Sequence, residues 1–185
     1  MKRAFVFPGQ GSQAVGMGKE LFEAFPIARQ VFEEVDDALG QKLSTLMFEG
    51  SGDELTLTEN AQPALMAVSM AVARVIQDEG NFMLSDHAAY VAGHSLGEYS
   101  ALTAVGTLEL ADTARLLKLR GQSMQKAVPV GEGAMAALLG LDFEDALAVA
   151  EEAAQGEVCS AANDNASGQV VVSGHKTAVE RSLDI

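Results

Sequence analysis

The 185-residue chain has one cysteine, no tryptophan, two tyrosines and four prolines. One cysteine can neither close an intrachain disulfide nor furnish a cysteine-rich zinc site, so no metal centre is expected. A reducing compartment follows, most simply the cytoplasm. Basic residues are also scarce: 12 Lys and Arg face 26 Asp and Glu, for a net charge of −14. Broad nucleic-acid binding needs clustered cations and is therefore not expected. No run approaches the ~20 apolar residues of a membrane span. After Lys2 and Arg3, the apolar run Ala4-Phe5-Val6-Phe7 stops at Pro8, too soon for a signal peptide. What remains is a globular composition, 48% hydrophobic, able to bury a core.

The pattern along the chain predicts α/β structure. Arg3 to Phe7 reads as a buried strand closed by Pro8-Gly9, followed by the loop Gly9-Gln10-Gly11-Ser12-Gln13. Ile27, Val31, Phe32, Val35 and Leu39 recur at helical spacing, with Gly40 as the stop. A shorter helix is expected over 43–48. Pro63 is placed to open a long apolar helix to about Glu79, whose Met66, Ala67, Met70 and Ala71 read as core. Ala88 to Ala92 reads as a second strand. Helices follow from about Leu96 and over 109–127, the latter interrupted by Gly121.

Near Pro129 to Gly133 the pattern changes, which sets expected domains of 1–128 and 129–185. The second reads strand (134–139), helix (143–154), strand (157–161), an Asn-rich turn, strand (169–173) and helix from Lys176. That is β-α-β-β-α, a ferredoxin-like unit without its final strand. It carries 2 basic and 10 acidic residues. The first domain offers only two strands, both uniformly apolar. Such strands suit a parallel sheet covered on both faces, which two strands cannot make alone. Both domains read as incomplete at the C-terminus.

Chemistry enters with Gly93-His94-Ser95-Leu96-Gly97, between a strand and a helix. G-x-S-x-G in that setting is a nucleophile elbow, with Ser95 lifted to the tip of a sharp turn. The amide of Leu96, at the helix start, is one candidate oxyanion donor; that of Gln10, in the Gly-rich loop, is the second. The loop lacks both phosphate-binding patterns, G-x-G-x-x-G and G-x-x-x-x-G-K-[ST]. A serine nucleophile also needs a base. His94 adjoins Ser95 and reads as structural, His87 as a surface residue, and His175 as a capping or solvated one. The base histidine is expected to be absent from this chain. Residues 113–131 hold Arg115, Lys118, Arg120 and Lys126 with no acidic residue. This stretch is either a solvated helix face or a landing site for an anion.

Phe7-Pro8-Gly9-Gln10-Gly11-Ser12-Gln13, Gln62-Pro63-Ala64, Gly93 to Ala101 (GHSLGEYSA) and Arg120-Gly121 resemble the malonyl-CoA:acyl carrier protein transacylase family. Gly131 to Ala136, Gly168 to Val172 and Gly174-His175-Lys176 also fit, so the resemblance spans the chain. It implies a hydrolase-like parallel-sheet core with an inserted ferredoxin-like subdomain, whose remaining strands and base histidine lie downstream. It further implies malonyl transfer from coenzyme A to the phosphopantetheine thiol of a carrier protein in fatty-acid synthesis. Ser95 would carry the acyl group, Gln10 and Leu96 would form the oxyanion hole, and Arg120 would hold the malonyl carboxylate. Asn163 and Asn165 match a segment near the family's active-site gorge. No cofactor is implied beyond the thioester substrate, and the complete protein is expected to be a monomer. Two alternatives stay open: an acyl-thioester hydrolase on the same elbow, or a non-catalytic fragment that needs a complementary C-terminal segment.

Overall fold

The computed structural model describes residues 2–129 and 131–185. Val130, inside the expected junction at 129–133, lies outside the described residues. In chain order the elements are β1 (Arg3–Phe7), α1 (Lys19–Ala24), α2 (Pro26–Leu39), α3 (Leu43–Glu49), α4 (Gly52–Thr56), α5 (Thr58–Gly80), α6 (Leu84–His87), β2 (Ala88–Gly93), α7 (Leu96–Ala104) and α8 (Leu110–Ala127). They continue with β3 (Gly133–Leu139), α9 (Phe143–Ala154), β4 (Cys159–Ala166), β5 (Gln169–His175) and α10 (Lys176–Arg181). The chain divides into two compact units, 1–125 and 126–185.

In the first unit β1 and β2 pair in parallel, with Phe7 opposite Gly93. The strands expected to be buried are largely exposed: only one face of the pair is covered. Phe5 and Val91 pack toward the core and Phe7 joins it, whereas Val6 and Tyr90 are 74% and 66% exposed. Side chains alternate along a strand, so a uniformly apolar sequence covered on one side leaves apolar residues in water on the other. The core is built around α5, where Met66, Ala67, Met70 and Ala71 are all buried, as expected. Val31, Phe32 and Val35 of α2 join the same cluster. Gly40, at φ 58°, ends α2 in the left-handed region.

Two helix expectations need correction. Helix α5 begins at Thr58, five residues before Pro63, which lies inside it. Proline removes its own N–H bond to the Glu59 carbonyl and crowds that carbonyl, and both effects fall on the first turn of the helix, which continues past it. Helix α8 runs unbroken through Gly121, which is buried. A Cβ there would meet the backbone of Glu59 and Thr58. The glycine is a close-approach site between helices rather than a breaker.

The second unit is a three-stranded antiparallel sheet, order β3-β5-β4. Leu138, Val170 and Val172 form its core with Ala146, Ala150 and Ala153 of α9 and Ala178 and Val179 of α10. This is the β-α-β-β-α arrangement expected. Strand β4 runs on to Ala166, however, so Asn163 and Asn165 lie in a strand instead of a turn; the turn is Ser167-Gly168. Gly168, at φ 74°, supplies the left-handed residue the tight hairpin requires. Arg181 donates to the Ala153 and Ala154 carbonyls at the end of α9 and pairs with Glu157 at 2.7 Å. Hydrogen bonds from Thr177 and then Arg181 hold the Glu157 carboxyl below its ordinary value. Among the described residues no helix is long and apolar enough to cross a membrane.

Candidate active site

The parallel register of β1 and β2 brings two loops to one end of the pair. Phe7 and Gly93 are opposite each other, so the Pro8–Gly11 loop and the turn holding Ser95 leave the sheet side by side. The His94 N–H donates to the Phe7 carbonyl at 3.2 Å, tying the two loops together. The turn is tight enough to demand its glycines: a Cβ on Gly93 would collide with the Gly97 backbone, and one on Gly97 with the Phe7 carbonyl. Ser95 sits at φ 55°, ψ −112°, a conformation rare for any residue with a side chain and costing roughly 1–3 kcal/mol. Such strain at the N-cap of α7 is how an elbow presents its hydroxyl. Leu96 is the first residue of α7, so its N–H has no acceptor within the helix and is available to a developing oxyanion.

Arg120 reaches this hydroxyl from α8. Its Nη2 donates to Ser95 Oγ at 2.9 Å, and its Nη1 donates to Gln62 Oε1. The guanidinium also lies 5.9 Å from the centre of the Tyr99 ring, within reach of a cation–π attraction. The hydrogen bonds continue beyond Gln62. Gln62 Nε2 donates to Thr58 Oγ1 at 2.9 Å, and Thr58 Oγ1 donates to Gln10 Oε1 at 2.8 Å. A continuous chain thus runs from Ser95 through Arg120, Gln62 and Thr58 to the Gly-rich loop.

Helix–helix contacts hold that chain in place. Lys118 Nζ contacts Gln41 Oε1 and Asn60 Oδ1, each at 2.9 Å, and pairs with Glu59 at 3.3 Å. Gln122 donates to the Glu59 carboxylate, and Gln125 Oε1 accepts the Glu59 N–H. Residues 118, 122 and 125 lie on one face of α8 and grip the first turn of α5 around Gly121. At the other end of α7, the buried hydroxyls of Thr103 and Thr113 meet at 2.7 Å.

Of the residues singled out in the sequence, the structure brings Ser95, Leu96, Gln10 and Arg120 together within the first unit. Asn163 and Asn165 are exposed on β4 of the second unit. The basic stretch is not one patch: Arg115 pairs with Asp112 at 2.8 Å, Lys118 is turned toward α5, and Arg120 serves Ser95. His87 stacks edge-on against Phe82 at the far end of β2 from Ser95. His94 places its ring against Gly9. His175 Nδ1 accepts the Val158 N–H at 2.8 Å. Thr58 was not singled out, and Gln62 and Tyr99 entered only as members of the motifs that carry the resemblance, with no role of their own. For Gln62 a signal existed, an amide in the otherwise apolar run Ala61 to Ala67, and the structure buries it fully. Thr58 carried no such mark. Among the described residues no cluster of three His, Cys, Asp or Glu side chains is gathered to hold a metal ion.

Comparison with known proteins agrees with this geometry. Residues 4–184 match the acyl transferase domain family. The chain is 49% identical over 185 residues to malonyl CoA-acyl carrier protein transacylase of Bacillus subtilis (strain 168), covering 100% of this chain and 57% of the relative. It is 50% identical over 179 residues to the Escherichia coli (strain K12) protein of the same name, covering 97% and 57%. The crystal structure of acyl-carrier-protein-S-malonyltransferase from Bartonella henselae superimposes with a TM-score of 0.93 at 60% identity, covering 100% of this chain and 58% of that one. A malonyl-transacylase solved in complex with its type II PKS acyl-carrier protein gives a TM-score of 0.90 at 47% identity, with the same coverage. The chain thus spans 57% of the length of these curated relatives.

Proposed function

This chain belongs to the acyl transferase domain family, and from that premise we propose that it is part of an enzyme moving malonyl from malonyl-CoA to the phosphopantetheine thiol of an acyl carrier protein. The observation that carries the proposal is Arg120 donating to Ser95 Oγ at 2.9 Å. A fixed cation beside a serine nucleophile favours an acyl group bearing a second, negatively charged end. Ser95 Oγ gives its proton to a base and bonds to the thioester carbonyl carbon; the C–S bond breaks, and the coenzyme A thiolate leaves with that proton. The oxyanion that forms between these events is met by the Leu96 and Gln10 amides. Once Oγ is an ester oxygen it is a poor acceptor, which frees Arg120 Nη2 for the malonyl carboxylate. The carrier thiol then repeats the sequence in reverse.

The base is assigned to a residue outside these 185, because His87 and His175 are engaged elsewhere and the ring of His94 rests on Gly9. Turnover by residues 1–185 alone is accordingly low, since a nucleophile and its base act as a unit. Asn163 and Asn165, on β4 of the second unit, are kept as candidate substrate-binding residues on the resemblance of their segment alone. The chemistry uses the thioester's own reactivity and calls for no cofactor. A monomer acting in the cytoplasm, without nucleic acid or membrane, fits the acidic composition.

Intact mass after brief exposure to malonyl-CoA tests the reading. In the complete protein a single malonyl adduct is expected, lost in Ser95→Ala; an adduct that survives Ser95→Ala overturns it. Arg120→Ala is expected to lower the preference for malonyl over acetyl by at least about tenfold, as removal of a charge-assisted pair predicts. An unchanged preference overturns the clamp.

A further inference from the structure

We infer that Thr58 is a positioning residue that couples the acyl-carboxylate clamp to the oxyanion loop; the inference rests on the malonyl reading above. The sense of the chain of hydrogen bonds is set from its Arg120 end. A guanidinium has no acceptor, so Gln62 must turn its Oε1 to Arg120. That orientation leaves Gln62 Nε2 to donate, and it donates to Thr58 Oγ1. Gln62 takes one of the two lone pairs of the Thr58 hydroxyl, whose single proton goes to Gln10 Oε1. Each group therefore fixes the next, from Arg120 to the loop carrying the Gln10 amide.

Gln62 is fully buried, and its other neighbour at Nε2 is Met124 Sδ at 3.3 Å, a weak acceptor. Without the Thr58 hydroxyl, Nε2 keeps only that weak acceptor, so the amide that holds Arg120 is less firmly placed. Gln10 in turn loses the donor that restrains its side chain. One hydroxyl remote from the scissile bond thereby governs both acyl selectivity and oxyanion stabilisation. Thr58 opens α5 and is only half-buried, so its replacement leaves the core intact.

The test compares Thr58→Val, Thr58→Ala and Thr58→Ser with wild type in the full-length protein, using malonyl-CoA, acetyl-CoA and a serine-reactive fluorophosphonate. Thr58→Val is expected to lower kcat/KM for malonyl by about tenfold, roughly the worth of one buried hydrogen bond to a charged partner's network, and to lower acetyl transfer less. Thr58→Ala should match it without added bulk, and Thr58→Ser should restore the wild-type rates. In an Arg120→Ala background the selectivity effect of Thr58→Val should vanish. Wild-type kinetics in both Val and Ala variants, equal proportional loss for the two acyl groups, or full additivity with Arg120→Ala overturns the inference. If the wild-type protein does not prefer malonyl, the functional reading fails on that measurement alone. The coupling of Thr58 to Ser95 is then judged by fluorophosphonate labelling, which slows in Val and Ala but not in Ser if the coupling holds.

Discussion

At the scale of single residues, the polar groups of the site all have partners, which makes Ser100 conspicuous. Its hydroxyl is buried on α7 and is the one buried side-chain polar atom among the described residues without a hydrogen-bond partner. An unmet hydroxyl weakens the fold, and alanine is also the better helix former. Ser100→Ala is therefore expected to stabilise by about 1 kcal/mol, raising the melting temperature by roughly 2–4 °C; a lower melting temperature would contradict this. Ser95, Leu96 and Gln10 were legible in the sequence because glycines and strand–turn–helix punctuation declare an elbow and a loop. Arg120 was legible only by resemblance, since no local rule ties a residue on α8 to the N-terminus of α7. Thr58 was illegible because a threonine at a helix start is ordinarily read as a cap, and its task here depends on Gln10 and Arg120, both distant in sequence.

Elements explain why Arg120 arrives where it does. Helix α8 approaches α5 closely only because Gly121 has no Cβ, and the grip of Lys118, Gln122 and Gln125 surrounds that point. Gly121→Ala sets two effects against each other. Helix propensity favours alanine by about 1 kcal/mol, but the new methyl meets backbone atoms of Thr58 and Glu59, which cannot rotate away, at a cost of about 1–3 kcal/mol. The steric cost wins: a lower melting temperature and a weakened malonyl preference are expected together, because Arg120 is displaced with its neighbour. Calorimetry and competition between the two acyl-CoAs check this, and a more stable, equally selective variant would refute it. The same position shows where sequence rules ran out. Gly121 and Pro63 carried the usual marks of helix interruption and helix start, yet packing overrode the first, and the second sits one turn deeper than its preference. Strand β4 ran past its apolar segment into Asn163 and Asn165 because the ladder with β5, not hydrophobicity, sets its length.

Over the whole molecule, net charge and the buried faces of α2 and α5 were the most legible properties, strand burial less so, and long-range pairing the least. A net charge of −14 coexists with a cation at the nucleophile because Arg120 is enclosed by Gln62, Tyr99 and Ser95, so local arrangement decides the field there. The parallel pairing of Phe7 with Gly93 has a kinetic meaning as well. The two partners are separated in sequence by the entire helical body from α1 to α6, so their meeting must wait on a large loop closure, whereas the helices between them form from nearby residues. The turn at Ser95 takes its shape from Phe7, through the His94 hydrogen bond and the space kept by Gly97. In refolding, helical circular dichroism is expected to return before fluorophosphonate labelling of Ser95; simultaneous recovery would contradict it. On the reading proposed for Ser95, its reactivity in the complete protein would then double as a report that β1 and β2 have met, and molecules whose strands are still apart would stay chemically silent.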